Sequence, residues 1–157
     1  MRFALRNLQR RASRQLNDNL HIGAYSRPSN RPLDWGKGGP QTWTQSRPYL
    51  TLPDVQDQCG FRIFEWYAQL VNTELGDSRP IILLGTGVQS EDGDARFPPV
   101  DPLLYTTRNL EIARLLTNGE ISPDMVLAGN FWLLAAEADS NQATQAWYQA
   151  NGNPLPL

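Results

Sequence analysis

The sequence predicts an α/β fold in which three parallel strands alternate with helices. Three observations support this fold class. Helix-like and strand-like segments alternate along the 157 residues, the strand-like runs are short and apolar, and the helix-to-strand connections are much shorter than two of the strand-to-helix connections. Parallel strands need crossover connections, which helices usually supply. A chain of this length forms about one domain, so we predict a single domain over residues 1–157.

The N-terminal third predicts one helix, one short strand and a long loop. Residues 3–17 predict a helix because apolar side chains recur three and four positions apart. Residues 20–25 form an apolar run typical of a buried strand. The following loop, 26–53, contains five prolines, and loops of this length in compact domains are usually functional. We therefore divide the chain into a basic amphipathic helix (1–19) and an α/β portion (20–157).

A second helix is predicted from Asp54 to Leu75. Aspartate is a common residue at a helix N-terminus, and Gly76 can adopt the left-handed conformation that ends many helices. The helix carries an apolar stripe that includes Cys59 and Trp66. Both side chains are therefore expected to lie in the core.

The remaining elements are a strand, a helix and a strand. Residues 80–84 are apolar without alternation, which indicates a strand covered on both faces. The loop 88–102 follows, and residues 104–116 then predict a helix with Leu110 on its inner face. Residues 125–134 predict the third strand. Both long loops follow the carboxyl ends of strands, where α/β proteins bind ligands, so a ligand site is expected there.

Charge is distributed unevenly along the chain. Residues 1–31 contain seven arginines and one acidic residue, whereas residues 32–157 carry a net charge of −8. An acidic body is a poor surface for nucleic acid, so no nucleic-acid partner is predicted. Three interpretations of the arginines stay open. They are the solvated face of a helix, which the apolar spacing favours, a targeting presequence, and an RNA- or phosphate-binding arm.

Composition excludes several classes of protein. Cys59 is the single cysteine and His21 the single histidine, so neither an internal disulfide nor a structural zinc site can form, and no metal site is predicted. No apolar run reaches the roughly 20 residues of a membrane span, so no membrane partner is predicted. Gly85-Thr86-Gly87 lacks the remaining residues of a nucleotide-binding loop, so no cofactor is predicted. No secretory signal is found, which leaves the cytoplasm as the default location.

Three segments resemble strands six to eight of (β/α)8-barrel glycoside hydrolases. The segments are His21-Ile-Gly-Ala-Tyr25, Arg79-Pro-Ile-Ile-Leu-Leu-Gly-Thr-Gly87 and Val126-Leu-Ala-Gly-Asn-Phe-Trp-Leu-Leu134, the last followed by a tail with Trp147-Tyr148 and Asn151-Gly-Asn-Pro154. The resemblance covers most of the chain but about three of the eight strands. It implies about three βα units of a TIM-type (β/α)8 barrel, and hence an incomplete barrel.

The resemblance implies a carbohydrate-active domain, but the chain departs from the family at the catalytic positions. Retaining enzymes of this type place a glutamate nucleophile at the end of the seventh strand and a second carboxylic acid on an earlier strand. Gly85 and Thr86 stand at the seventh-strand position, and neither can attack a sugar carbon. Glu91 and Glu137 remain as catalytic candidates. The prediction is a glycoside hydrolase-like domain without the complete carboxylate pair, its enzymatic activity left open. The alternative is a non-catalytic carbohydrate-binding or structural α/β domain.

The expected sugar site lies over the strand ends, beneath the two long loops. Flat aromatic rings stack on the apolar faces of sugars, while packing in the core or at the barrel rim is the competing role of such rings. The substrate-binding candidates are His21, Tyr25, Trp35, Trp43, Thr86, Asn130 and Trp132. For His21 a buried structural position is the alternative. The expected partners are an oligosaccharide or polysaccharide and, because half a barrel leaves unpaired edges, a second copy of the chain or a missing N-terminal half.

Overall fold

The structure is a computed structural model that describes residues 1–11, 19–42, 59–88, 93–143 and 146–154. These residues form a mixed α/β fold with one three-stranded parallel sheet. Its strands, side by side in chain order, are β1 (Ile22–Tyr25), β2 (Ile81–Thr86) and β3 (Val126–Phe131). The α/β class and the parallel sheet expected from the sequence are confirmed.

The helices are α1 (Arg2–Arg11), α2 (Gly39–Thr42), α3 (Ile63–Leu75) and α4 (Pro102–Thr117). The later part of the predicted first helix lies outside the described residues. The predicted end of α3 is confirmed, because Gly76 has a φ of 76° and its N–H donates to the Asn72 carbonyl. At the start of α4, the Asp101 carboxylate accepts a hydrogen bond from the Leu104 N–H at 2.7 Å.

The predicted start of α3 at Asp54 lies outside the described residues, and residues 59–62, which the sequence also predicts to be helical, are not part of a helix. The helix begins at Ile63, and the chain before it forms a turn in which Gly60 has a φ of 139°. A Cβ at Gly60 would lie 2.7 Å from the Trp35 carbonyl oxygen, so the turn packs closely against the preceding loop. Cys59 precedes this turn and is exposed, so the expectation of a buried helical thiol is wrong.

The register of the sheet aligns the carboxyl ends of its strands. β1 pairs with β2 from Ile22–Ile81 to Tyr25–Leu84, and β2 pairs with β3 from Ile81–Val126 to Thr86–Phe131. The second pairing contains register shifts, one of them between Leu83 and Thr86. Because all three strands run in the same direction, their last residues meet at one side of the sheet, called the carboxyl edge below.

The core lies between one face of the sheet and the helices α3 and α4. Ile81 and Leu83 of β2 are fully buried there, together with Phe64 of α3 and Ile112 of α4. The buried positions of α4 are Tyr105, Asn109 and Ile112, which recur at the helical period and face the sheet.

Two expectations about the buried faces need correction. Leu110 is 53% exposed, because the inner stripe of α4 passes through the residue before it. β3 is less covered than an unalternating apolar run suggests, since Leu127, Ala128 and Asn130 are exposed. Ala128 pairs with Ile82 of β2. The neighbours of Ile82, Ile81 and Leu83, face the core, so the side chains of Ile82 and Ala128 lie on the opposite face of the sheet.

The arginine-rich helix α1 packs on α3. Leu5 is buried at this contact, and the guanidinium of Arg6 donates two hydrogen bonds to the carboxylate of Glu74. Arg2 lies 3.5 Å from the same carboxylate. The packing supports the interpretation of the arginines as the polar face of a helix. Within the described ranges no helix is both long and apolar enough to cross a bilayer.

Candidate functional site

Three sequence-predicted residues meet at the carboxyl edge. Tyr25 ends β1, Thr86 ends β2, and Trp132 directly follows β3. The Trp132 N–H donates to the Thr86 carbonyl at 3.0 Å, so strand pairing continues one residue beyond β3. Tyr25 is 58% and Trp132 37% exposed, so both rings are open to solvent at the end of the sheet.

Arg27 contacts both of these rings. Its guanidinium carbon lies 5.1 Å from the centre of the Tyr25 ring and 5.4 Å from that of Trp132. A guanidinium over an aromatic face is attracted by the electron density of the ring. We call Tyr25, Arg27 and Trp132 the ring–guanidinium cluster. The sequence pattern did not single out Arg27 as a site residue, although its position two residues after Tyr25 is a signal, because alternate residues of an extended chain share a face.

A glycine makes room for the ring–guanidinium cluster. Gly85 has a φ of 64°, and a Cβ there would lie 3.2 Å from the Tyr25 ring and 3.4 Å from Nε of Arg27. The backbone carbonyl of Arg27 accepts a hydrogen bond from the Gly60 N–H at 2.8 Å, which ties the arginine to the turn before α3. The cluster therefore rests on the bulged end of β2 and on the turn before α3.

Thr86 lies beneath the surface rather than on it. Its side chain is fully buried, and its hydroxyl has no hydrogen-bond partner among the described residues. Asn109 lies beside the end of β2, because its side-chain oxygen accepts from the Val88 N–H at 3.0 Å. Tyr105 is buried one turn earlier on α4, and this burial raises its pKa. On the core side of the carboxyl edge, the buried side chains of Thr86, Tyr105 and Asn109 thus place polar atoms in the protein interior.

Asn30 joins the loops that follow β1 and β2. Asn30 is 2% exposed, and its amide nitrogen donates to the carbonyls of Asp94, Phe97 and Pro98 at 2.9, 3.1 and 3.0 Å. Its side-chain oxygen accepts from the Asp94 N–H at 2.8 Å. The two long loops, which both follow carboxyl ends of strands, are therefore joined in their described parts.

Two arginines surround the carboxylate of Asp94. Hydrogen bonds from the side chain and backbone of Arg96, with a further contribution from Arg31, hold the pKa of Asp94 well below its usual range. Arg31 is itself nearly buried, and its guanidinium lies 3.1 Å from the carboxylate. Asp94 is therefore a structural anion within the loops, already neutralised by its neighbours.

Trp35 belongs to the same loop contact. Its ring lies 5.4 Å from that of Phe97 in an edge-to-face arrangement, and Arg96 lies 5.7 Å from the centre of each ring. The structure thus brings Trp35 against the second loop, where it packs, while the ring–guanidinium cluster is built by other residues. Packing at the rim was the alternative role expected for this tryptophan.

The other candidates occupy different places. Glu91 and Trp43 lie outside the described residues. His21 precedes β1 and lies about 13 Å along the strand from Tyr25 at the rise of an extended chain, so the structure does not bring it to the carboxyl edge. Its side chain is exposed, so the alternative assignment of His21 to a buried structural position is wrong. Asn130 is exposed near the end of β3.

Glu137 belongs to the C-terminal tail. It is exposed and lines an open depression together with Tyr148, Gln149 and neighbouring alanines. The tail is held to the segment after β3 by the Tyr148 N–H, which donates to the Leu134 carbonyl at 3.0 Å. Phe131 and Trp147 pack at 5.1 Å beneath it. None of the described residues that end the three strands is acidic, and nowhere in the described ranges do three potential metal ligands converge.

The fold and the carboxyl edge define the chain as an α/β protein with a parallel sheet and an aromatic, cationic surface at its carboxyl edge. Comparison with models of known families, with curated proteins and with solved structures finds no match. A more particular assignment therefore depends on the chemistry of the site itself.

Proposed function

We propose that the chain is a glycoside hydrolase-like domain, built as about three βα units of a TIM-type barrel, that binds an oligosaccharide at its carboxyl edge without hydrolysing it. The observation that carries this proposal is the pair of exposed rings, Tyr25 and Trp132, at the strand ends. Tyr25 ends β1 and Trp132 directly follows β3. These two strands are two positions apart in the sheet, so they lie roughly 10 Å from each other at the usual strand spacing. Exposed rings in a fixed arrangement suit the apolar faces of neighbouring sugar units.

The arrangement of the strands supports the barrel assignment. Each strand lies beside the one that precedes it in the chain, as in (β/α)8 barrels. The sheet face away from the core carries exposed residues, among them Gly23, Tyr25 and Ala128. In a complete barrel this face would line the interior, and the carboxyl edge would form the ligand-binding end.

The distribution of carboxylates favours binding over hydrolysis. Glycosidases need two carboxyl groups that lie about 5–10 Å apart across the scissile bond. Among the described residues, the carboxyl edge presents a buried threonine, aromatic rings and Arg27, whereas Glu137 lies on the tail and Glu91 lies outside the described residues. A binding role uses the residues that the carboxyl edge does present.

The binding test measures oligosaccharide titrations followed by tryptophan fluorescence and calorimetry. We expect saturable binding by the native chain and about tenfold weaker binding by Tyr25→Ala, the size of one aromatic contact. Tyr148→Ala is the matched control, because Tyr148 is a similarly exposed tyrosine on the tail, at 42%. Absence of binding by every oligosaccharide, or an equal loss in both variants, would contradict the proposal.

A separate assay tests for hydrolysis. Release of reducing ends is measured for the native chain, Glu91→Gln and Glu137→Gln. We expect no release above background from any of them. Release that one of these substitutions abolishes would instead make the domain an enzyme with that glutamate in the reaction, and release that survives Glu91→Gln would remove Glu91 from a catalytic role.

A further inference from the structure

We propose that the oligosaccharide bound at the carboxyl edge is acidic, and that the guanidinium of Arg27 binds the carboxylate of a uronic acid unit. This inference rests on the proposed function and names its substrate class.

Arg27 is half-buried and, within the described ranges, lacks the acceptors that the other half-buried or buried arginines have. Its side chain makes no hydrogen bond or ion pair to any residue in the described part of the chain, and its Nε is buried without a partner. The other half-buried or buried arginines of the described ranges each meet an acceptor, in the pairs Arg31–Asp94, Arg62–Glu65, Arg79–Asp77 and Arg108 with the Arg31 carbonyl. Nε is the only side-chain nitrogen of Arg27 that is buried, so the terminal N–H groups, which make no hydrogen bond within the described ranges, are the donors that a bound anion would reach.

In the ring–guanidinium cluster, the two rings contact the guanidinium of Arg27 but do not accept hydrogen bonds from its N–H groups. The guanidinium lies against the rings of Tyr25 and Trp132, at 5.1 and 5.4 Å. Ring contacts satisfy the faces of a guanidinium but not its N–H groups, which point outward in its plane. A carboxylate can accept two of these N–H groups at once. A sugar that carries a carboxylate would therefore place its charge on Arg27 while its ring lies against the neighbouring aromatic surface.

The charge of the site matches a carboxylate better than a phosphate. Among the described residues, Arg27 is the one cation that lies over the rings of Tyr25 and Trp132. One guanidinium balances one carboxylate, whereas a phosphate carries more charge and more acceptor oxygens than one arginine satisfies. Phosphates share the same anion chemistry, so inorganic phosphate is included as a separate arm of the test.

The test compares an oligogalacturonate with the same oligosaccharide after reduction of its carboxyl groups to alcohols. Calorimetry on the full chain measures both affinities at two salt concentrations. We expect the acidic form to bind at least about tenfold more tightly, an advantage that falls with salt, as a charge-assisted contact requires. Equal affinities for the two forms, both reduced by Tyr25→Ala, would overturn the acidic inference and leave the proposed function standing. Binding of neither form would overturn both.

Substitutions assign the preference to one side chain. Arg27→Met keeps an unbranched side chain between the rings and should abolish the preference for the acidic form while leaving the reduced form bound. Arg114→Met is the matched control, because Arg114 is an exposed arginine on α4 and its loss changes the net charge equally. Arg27→Lys should retain charge but lose most of the preference, because an ammonium cannot bind a carboxylate through a planar pair of donors.

Two results would count against the role of Arg27. One is an unchanged preference in Arg27→Met, and the other is an equal loss in Arg114→Met. Displacement of the oligogalacturonate by inorganic phosphate at comparable concentration would show a general anion site and overturn the uronic acid assignment. Circular dichroism of each variant verifies the fold, and the comparison of the two oligosaccharides on the native chain does not depend on any variant.

Discussion

Asn30 and Asp94, 64 residues apart in the chain, hydrogen-bond to each other in both directions: the Asn30 amide donates to the Asp94 carbonyl at 2.9 Å, and the Asp94 N–H donates to the Asn30 side-chain oxygen at 2.8 Å. The same amide also holds the carbonyls of Phe97 and Pro98. One buried side chain therefore fixes the loop after β1 to the loop after β2. Without it, the main-chain groups of the second loop would lack partners away from water.

Asn30→Ala should destabilise the protein by about 2–4 kcal/mol, because it leaves several partly buried main-chain groups unpaired. Urea unfolding followed by circular dichroism measures the change. Asn118→Ala is the control, since Asn118 hydrogen-bonds to Glu120 on the exposed surface and should cost less than about 1 kcal/mol. Similar losses in the two variants would show that Asn30 does not join the loops.

Gly85→Ala should cost more stability than Gly76→Ala. Both glycines have a positive φ, 64° and 76°, so both substitutions carry a backbone penalty of about 1 kcal/mol. A Cβ at Gly76 meets no atom within 4 Å, whereas a Cβ at Gly85 lies 3.2 Å from the Tyr25 ring. The excess loss in Gly85→Ala, measured by urea unfolding, reports the close approach of Tyr25. We also expect weaker oligosaccharide binding in Gly85→Ala alone, and equal stability of the two variants would refute this view of the cluster.

Thr86→Val should leave the free energy of unfolding unchanged or raise it by up to about 1 kcal/mol. The hydroxyl of Thr86 is fully buried and has no partner among the described residues. Valine has nearly the same volume as threonine, so the substitution removes the cost of burying an unpaired hydroxyl without leaving a cavity. Thermal unfolding compares it with Thr73→Val, where the lost hydroxyl is exposed and donates to the Gln69 carbonyl. A loss above about 1 kcal/mol in Thr86→Val would mean that the hydroxyl has a partner in solution.

The contact between α1 and α3 should weaken in acid. The hydrogen bond from Arg6, together with the charges of Arg6 and Arg2, holds the pKa of Glu74 below its ordinary value of 4.5. A carboxyl whose pKa is lower in the folded state stabilises that state above the unfolded pKa, and the contribution is lost as the pH falls from about 4.5 through the folded value. Hydrogen exchange of the α1 amides between pH 7 and 3, corrected for the intrinsic rate, measures this.

Glu74→Gln should remove this acid dependence and leave α1 less protected at neutral pH. Glu111→Gln is the control, because Glu111 is an exposed residue of α4 and its replacement should leave the protection of α1 unchanged. The ion pair would have no role in docking α1 if the native chain and Glu74→Gln showed the same protection at every pH.

Local patterns predicted the three strands and the helices α1, α3 and α4, because apolar periodicity and helix-ending glycines act within a few residues. They did not predict α2, which lies inside the predicted loop 26–53. The strand at Ile81–Thr86 and the end of α3 at Gly76 follow directly from such patterns. Exposure was harder to predict. Leu110 is a leucine in an amphipathic helix, yet the helix face that packs on the sheet contains Asn109 instead. Which residues of a helix face the sheet depends on the rotation and angle of the helix relative to the sheet.

The sequence by itself determined the α/β class and, through the positions of Tyr25 and Trp132 at predicted strand ends, two rings of the candidate site. The tertiary structure decided that Arg27 contacts both rings, that Thr86 lies below the surface, and that Trp35 packs against the second loop. The physical reason is that these contacts join residues far apart in sequence. Their partners are set by strand register and by the bulge at the end of β2, which no local periodicity contains.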